Sequence, residues 1–468
     1  MSDSRSARWP WMLGMGCLLL LIIGLLVRWR GGTASQINDS AARSTPADAV
    51  ADGKAVRVPR ARPGGALTAE EIVSGKVRQY ARLRRDYVHA LARRANKQVP
   101  SEVEEFFDAL ERGNWEEIES RFKALRPGEG KGWALLRGEA ALRTELQDIW
   151  PAIHDAFGAA QEAHLWPAQK LLDYGHAVLD SLRPGMVYVG GTDPGRWIPA
   201  LLNDTRDGER HIVLTQNALA DKGYLDYVAF QYGDRFATLT QTDADRAFAD
   251  YMADAQKRLE HDRQFPNEAR QLRPGEDVKM VDGKLQVSGQ VSVMAINERL
   301  FKMILENNPE LSFAMEESFP FKSVLAEASP LGPIMEVNPR DQQNALTPER
   351  AAETVDYWRN ATDQLLNDPD AQGSDAVRKS YSKLLSSQGG LLEERKHMAE
   401  AEQLFRLASE VCPSSPEAVF RYINLLVSQG RVSETLPIVE NAMRADPNNQ
   451  QFQGLQTELN RMSRNPAR

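Results

Sequence analysis

With only two cysteines in 468 residues, Cys17 in a hydrophobic run and Cys412 near the other end, the chain can hold no disulfide framework. The seven histidines form no HExxH and no CxxC occurs, so the spacing offers no metal site. There is no GxSxG elbow, and no other nucleophile stands out. Nor is there an excess of positive charge. Fifty-seven Lys and Arg against 65 Asp and Glu leave a net charge of −8, which argues against nucleic acid as the main partner, because phosphate binding needs a basic face. These absences leave no complete catalytic motif, no metal and no cofactor to expect. What is present is the composition of a folded protein, 42% hydrophobic and 26% charged, with length for two to three domains at about 150 residues each.

The longest charge-free stretch runs from Trp9 to Val27, nineteen residues. As a helix it would span roughly 28 Å, close to the ~30 Å hydrocarbon core of a bilayer. Trp9, Trp11 and Trp29 stand at interfacial depth, and Arg8, Arg28 and Arg30 close the ends. Gly32 and Ala34 would suit a cleavage site. The apolar stretch is longer than a signal peptide's, however, and charges stand between it and that site, so a retained single-pass anchor is expected within residues 1–30. Basic residues flank it almost evenly; the short N-terminal flank favours an extracytoplasmic soluble part. Residues 31–67, rich in Gly, Ala, Ser, Asp and Pro, read as a flexible linker.

Helical patterning occupies 68–182. Thr68 with Glu71 makes a capping box, and Ser101 with Glu104 and Asn114 with Glu117 mark further helix starts. The first of these helices is basic, the next two acidic, so they are expected to pair; contact with anionic lipid is the alternative. From 183 to 346 short apolar runs alternate with helical stretches. The runs are Met186–Val189, His211–Leu214, Leu311–Met315 and Pro333–Val337, and Asp282-Gly283 marks a hairpin between 278 and 287. The expectation is an α/β domain, Rossmann- or flavodoxin-like, with a mostly parallel sheet.

Residues 347–468 return to helix. Ala408 and Ala442, Pro413 and Pro447, and Phe405 and Val439 are each 34 apart. That period, with small residues at 389, 401, 408, 430 and 442, matches the tetratricopeptide repeat over 382–415 and 416–449. An all-α domain of helical hairpins is expected, with a protein partner held by the repeats.

The candidate site lies in loops expected to leave the carboxyl ends of strands: Gly190, Gly191, Thr192, Asp193, Gly195 and Arg196; then Gln216, Asn217 and Asp221; then Glu316 and Glu317. Gly190 and Gly195 have the glycine spacing of a P-loop. Arg196 stands where its Lys is needed and Trp197 where its Ser or Thr is needed, so nucleotide hydrolysis is not expected. Carboxylates beside an arginine and amides suit a sugar or sugar phosphate, or acid/base work. Asp193 would equally serve as a helix cap before Pro194. The stretches 190–196 and 215–221 resemble the soluble C-terminal region of a family of bacterial multi-pass membrane proteins of unknown function. That family is distantly similar to protein O-mannosyltransferases and often ends in tetratricopeptide repeats. The likeness covers roughly 165–450. This chain has one hydrophobic segment where that family has many, so the resemblance implies an extracytoplasmic accessory domain, not a transferase. Two functions follow: a membrane-tethered scaffold that holds a protein partner through its repeats, or a sugar-binding or enzymatic domain acting on glycans or lipid-linked sugars at the membrane surface.

Overall fold

A computed structural model describes residues 66–125 and 145–464, except 192, 274, 282–283 and 317–320. The expected anchor at 9–27, nearly all of the linker, Thr192, Glu317 and the Asp282-Gly283 turn lie outside the described residues. Among the described residues, no helix is long and apolar enough to cross a membrane. The fold is mostly helical, with one small mixed sheet of five strands.

Helix α1 (Ala69–Arg94) starts at the expected capping box, Thr68 bonded to the Glu71 amide and Glu71 back to the Thr68 amide. Its arginines meet the acidic hairpin α2 (Ser101–Arg112) and α3 (Trp115–Leu125): Arg85 bridges Glu104, Asp108 and Glu111, and Arg82 also reaches Glu111. Asn114 caps the Glu117 amide as expected, but Ser101 does not cap; Pro100 holds that position with no side-chain bond. Helices α4 (Trp150–Leu165) and α5 (Ala168–Leu179) lead into the sheet.

The chain then runs β1 (Val187–Gly190), α6 (Pro194–Asp204), β2 (Ile212–Thr215), α7 (Lys222–Tyr232), α8 (Gln241–Gln264), the hairpin β3 (Asp277–Val281) and β4 (Lys284–Ser288), and α9 (Gln290–Asn307). It continues through β5 (Phe313–Met315), α10 (Lys322–Leu325), β6 (Ser329–Leu331) and β7 (Ile334–Val337). The sheet order is β2-β1-β5-β7-β6. β2, β1 and β5 are parallel and in register, Val189 opposite both Leu214 and Met315, whereas β7 runs antiparallel to both of its neighbours, β5 and β6. The expectation of a mostly parallel sheet is therefore corrected to a mixed one. β6 escapes sequence patterning because Pro330 sits in it, and the missing N–H confines that strand to the edge it occupies.

Alternation along the strands separates two cores. Val187, Val189, Phe313, Met315, Met335 and Val337 face one side, in one core with residues of α1–α4, α7 and α9. Tyr188, Ala314 and Ile334 face the other, against α5, α6 and the C-terminal helices. Those helices are α11 (Pro348–Asn367), α12 (Pro369–Gly373), α13 (Asp375–Glu394), α14 (Met398–Val411), α15 (Pro416–Ser428), α16 (Thr435–Ala445) and α17 (Gln450–Arg464). Successive members of α13–α17 pack on one another. Ala401, Ala408 and Ala442 are fully buried between helices, and a Cβ on Gly389 would stand 2.6 Å from the Phe405 ring. The stack is also tied to the sheet. The Gln388 amide donates to the carbonyls of Gly332 and Ile334 and accepts from the Trp358 indole, and Arg395 donates to the Ala328 carbonyl.

Candidate functional site

The crossover from β1 to β2 runs through α6 on one face, and the return from β2 past β1 to β5 runs through α7–α9 on the other. The chain leaving β5 enters α10 on that second face, so the loops after β1 and β5 diverge at the carboxyl edge, the place where open α/β sheets hold ligands. Asp193 follows β1 and Glu316 follows β5, and both carboxylates meet there. The Lys383 ammonium from α13 lies 2.6 Å from Asp193 Oδ2 and 2.7 Å from Glu316 Oε1. Asp193 serves two purposes, because its Oδ1 accepts from the Gly195 amide at 3.1 Å as the α6 cap.

Local sequence builds this arrangement. Pro199 lies inside α6 and lacks the N–H that would bond the Gly195 carbonyl one turn back; the Tyr188 hydroxyl donates there instead. Gly195 also leaves room for Glu316, since a Cβ there would stand 1.2 Å from Glu316 Oε2. The Glu316 amide extends the ladder to the Val189 carbonyl, which fixes the direction of its side chain. Burial pushes the Glu316 carboxyl up, Lys383 opposes this and Asp193 reinforces it, and the outcome is about 7. Burial alone would lower the Lys383 ammonium, yet Asp193 and Glu316 hold it well above the ordinary lysine value. Nearby on α4, Glu162 is buried with the Trp166 indole donating to it at 3.1 Å, and burial with Asp193's charge pushes it up to about 8.

Arg196 is not part of this cluster. It is 4% exposed; its Nε donates to the Gly191 carbonyl at 2.9 Å and its Nη1 to Asp155 Oδ1 at 2.8 Å. Asp155 also lies 3.7 Å from Arg84 Nε and accepts from the Tyr227 hydroxyl, and Arg84 reaches Asp204 and Tyr80. Burial would raise Asp155; Arg196 and Arg84 keep it below the usual carboxylate range. The cavity beside this network, of about 10 Å³, has room for about one water molecule. Gly190 is close-packed, since a Cβ there would meet the Arg196 side chain at 2.8 Å. On the β2 loop, Gln216 is buried, Gln216 and Asn217 lie in a short 3-10 turn, and Asp221 caps α7 by accepting from the Tyr224 amide at 3.0 Å. The edge thus brings Asp193 and Glu316 together, and directs Arg196 into the helical layer.

Sequence reading missed Lys383, Glu162, Asp155 and Arg84. Arg84 carried a signal: Tyr80, Arg84, Val88 and Leu91 share one helical stripe, so the charge stands on the buried face. Asp155 stands likewise among Ala152, Ala156 and Ala159. No family model matches this chain, and neither a curated protein nor a solved structure does. Fold and site together define a mostly helical protein in which a five-stranded mixed sheet is bolted to a stack of helical hairpins.

Proposed function

We propose that this chain is a single-pass membrane-tethered scaffold, anchored by residues 9–27 with its soluble part outside the cytoplasm. Its tetratricopeptide-type hairpins, 382–415 and 416–449, hold a protein partner. In this reading the three parallel strands with crossovers on both faces are a reduced doubly wound, Rossmann- or flavodoxin-like unit, used to seat the hairpins. The observation that carries it is the 34-residue recurrence of small residues at helix crossings, where Ala408 and Ala442 are both fully buried. A solenoid of two repeats needs neighbours to cover its ends, and α11 with the sheet on one side and α17 on the other supply them. The sugar-binding alternative has less support, because Arg196, its anion-binding side chain, is spent on Asp155 and Gly191.

The test is affinity purification of the full chain from detergent-solubilised native membranes, beside an Ala442→Trp variant whose second hairpin cannot close. A defined partner should co-purify with the unaltered protein and be lost from the variant. Identical retention by both would overturn the scaffold reading.

A further inference from the structure

Among the described residues where the sheet edge meets the hairpin stack, negative charge exceeds positive once Glu316 is ionised. Asp193 on the α6 cap and Glu316 after β5 share the one ammonium of Lys383. Glu162 on α4, its carboxyl pushed up to about 8 by burial and by Asp193, is neutral below that pH and adds no charge, and Glu417 on α15, which acts on Glu316, is paired with Arg421 of the same helix at 3.1 Å. From β1 and α5 the cluster is closed by the phenols of Tyr188 and Tyr174, which are neutral; Tyr188 Oη lies 3.5 Å from Glu316 Oε2, and the Tyr174 hydroxyl is buried with no hydrogen-bond partner. The Glu316 side chain is 1% exposed, and Lys383 and Asp193 are only about one-fifth exposed, so water screens the imbalance little. A buried carboxylate beyond what its cation neutralises must hold a proton or move toward water.

We propose that this junction is a proton-operated latch. With Glu316 protonated, Asp193 and Lys383 are balanced and α13 is held against the sheet edge. When the proton leaves, the surplus charge loosens the α13 contact and the hairpin stack separates from that edge more often. The direction agrees with burial and Asp193 having raised the Glu316 carboxyl to about 7, in the range where small changes of pH shift its occupancy. Glu316→Gln keeps the shape of the neutral acid and should fix the latch closed. The inference concerns the junction alone and stands whatever the hairpins bind.

Hydrogen exchange read by mass spectrometry on the full chain in detergent micelles tests it, with rates corrected for the intrinsic effect of pH. Protection of peptides from 375–394 should fall roughly a hundredfold between pH 5 and pH 7.5 in the unaltered protein, since each unit by which a carboxyl is raised is tenfold in the opening equilibrium. In Glu316→Gln protection should stay at its low-pH level. Asp193→Asn, which keeps a side-chain oxygen for the cap but removes one charge, should move the fall to lower pH. Should Glu316→Gln fail to fold, that displacement decides the matter alone. Protection independent of pH in the unaltered protein would overturn the latch. So would an unchanged fall in Glu316→Gln, an undisplaced one in Asp193→Asn, or one abolished only by Glu162→Gln.

Discussion

Replacing Gly195 by alanine adds one methyl group, and at most positions in the first turn of a helix that change is favourable by up to ~1 kcal/mol. Here the new Cβ would stand 1.2 Å from Glu316 Oε2 and 2.0 Å from its carboxyl carbon. Neither α6 nor the strand end can yield far. Asp193 caps the helix through the Gly195 amide, Tyr188 bonds its carbonyl, and the Glu316 amide is held in the ladder. The Glu316 side chain must therefore swing away and leave Lys383 with Asp193 alone. Lys383 keeps Asp193 as its counter-ion, so no buried charge is left uncompensated and the cost is that of overpacking. Gly195→Ala should therefore destabilise by about 1–3 kcal/mol. In a Glu316→Ala background the clash is gone and helix propensity remains, so the same substitution should be neutral or stabilising by up to ~1 kcal/mol. Urea titration of the four proteins of this cycle, followed by tryptophan fluorescence and circular dichroism, reads the coupling directly. An equal cost of Gly195→Ala in both backgrounds would refute the packing argument, as would no cost in the first.

Two further outcomes follow from burial. Ala442 is fully enclosed between helices, so Ala442→Trp should destabilise by at least about 1–3 kcal/mol; an unchanged thermal midpoint would mean that no helix crossing stands there. Glu162 is raised from 4.5 to about 8 by burial and by Asp193. The folded state therefore holds a proton that the unfolded chain releases near pH 4.5, and Glu162's contribution to stability falls as pH rises from about 4.5 to 8, by roughly 4 kcal/mol. Glu162→Gln should remove that part of the slope from stability measured against pH, and a slope identical to the unaltered protein's would place the proton elsewhere.

Local signals in the sequence are legible in the fold where the physics is local. The Thr68–Glu71 box, the Asp193 cap before Pro194 and the apolar runs that became β1, β2, β5 and β7 each depend on residues within a few positions of one another. The sense of β7 could not be read the same way, because a four-residue buried run looks alike in either direction. The site divided for the same reason. Asp193 and Glu316 converge because β1 and β5 are neighbours, which follows from strands alternating with helices. Lys383 lies 190 residues from Asp193, in a helix whose own pattern concerns its neighbouring helix. Arg196 turned inward toward Asp155, on a helix whose polar residue stands in an alanine-rich stripe. Charges on buried stripes were the readable trace of these distant pairings.

The bonds from Gln388 to both Gly332 and Ile334 give the hairpin stack a direction. In a row of units that each hold mainly to the next, thermal opening starts at an end, because an end unit has one interface to lose and an inner unit has two. The α13 end of this row has a sheet as its neighbour, with backbone carbonyls and Lys383 as the fastening, whereas α17 has a helix on one side. Opening of the row then starts away from its α13 end. A force applied to α17 is borne first by the α16–α17 contact and reaches the sheet last.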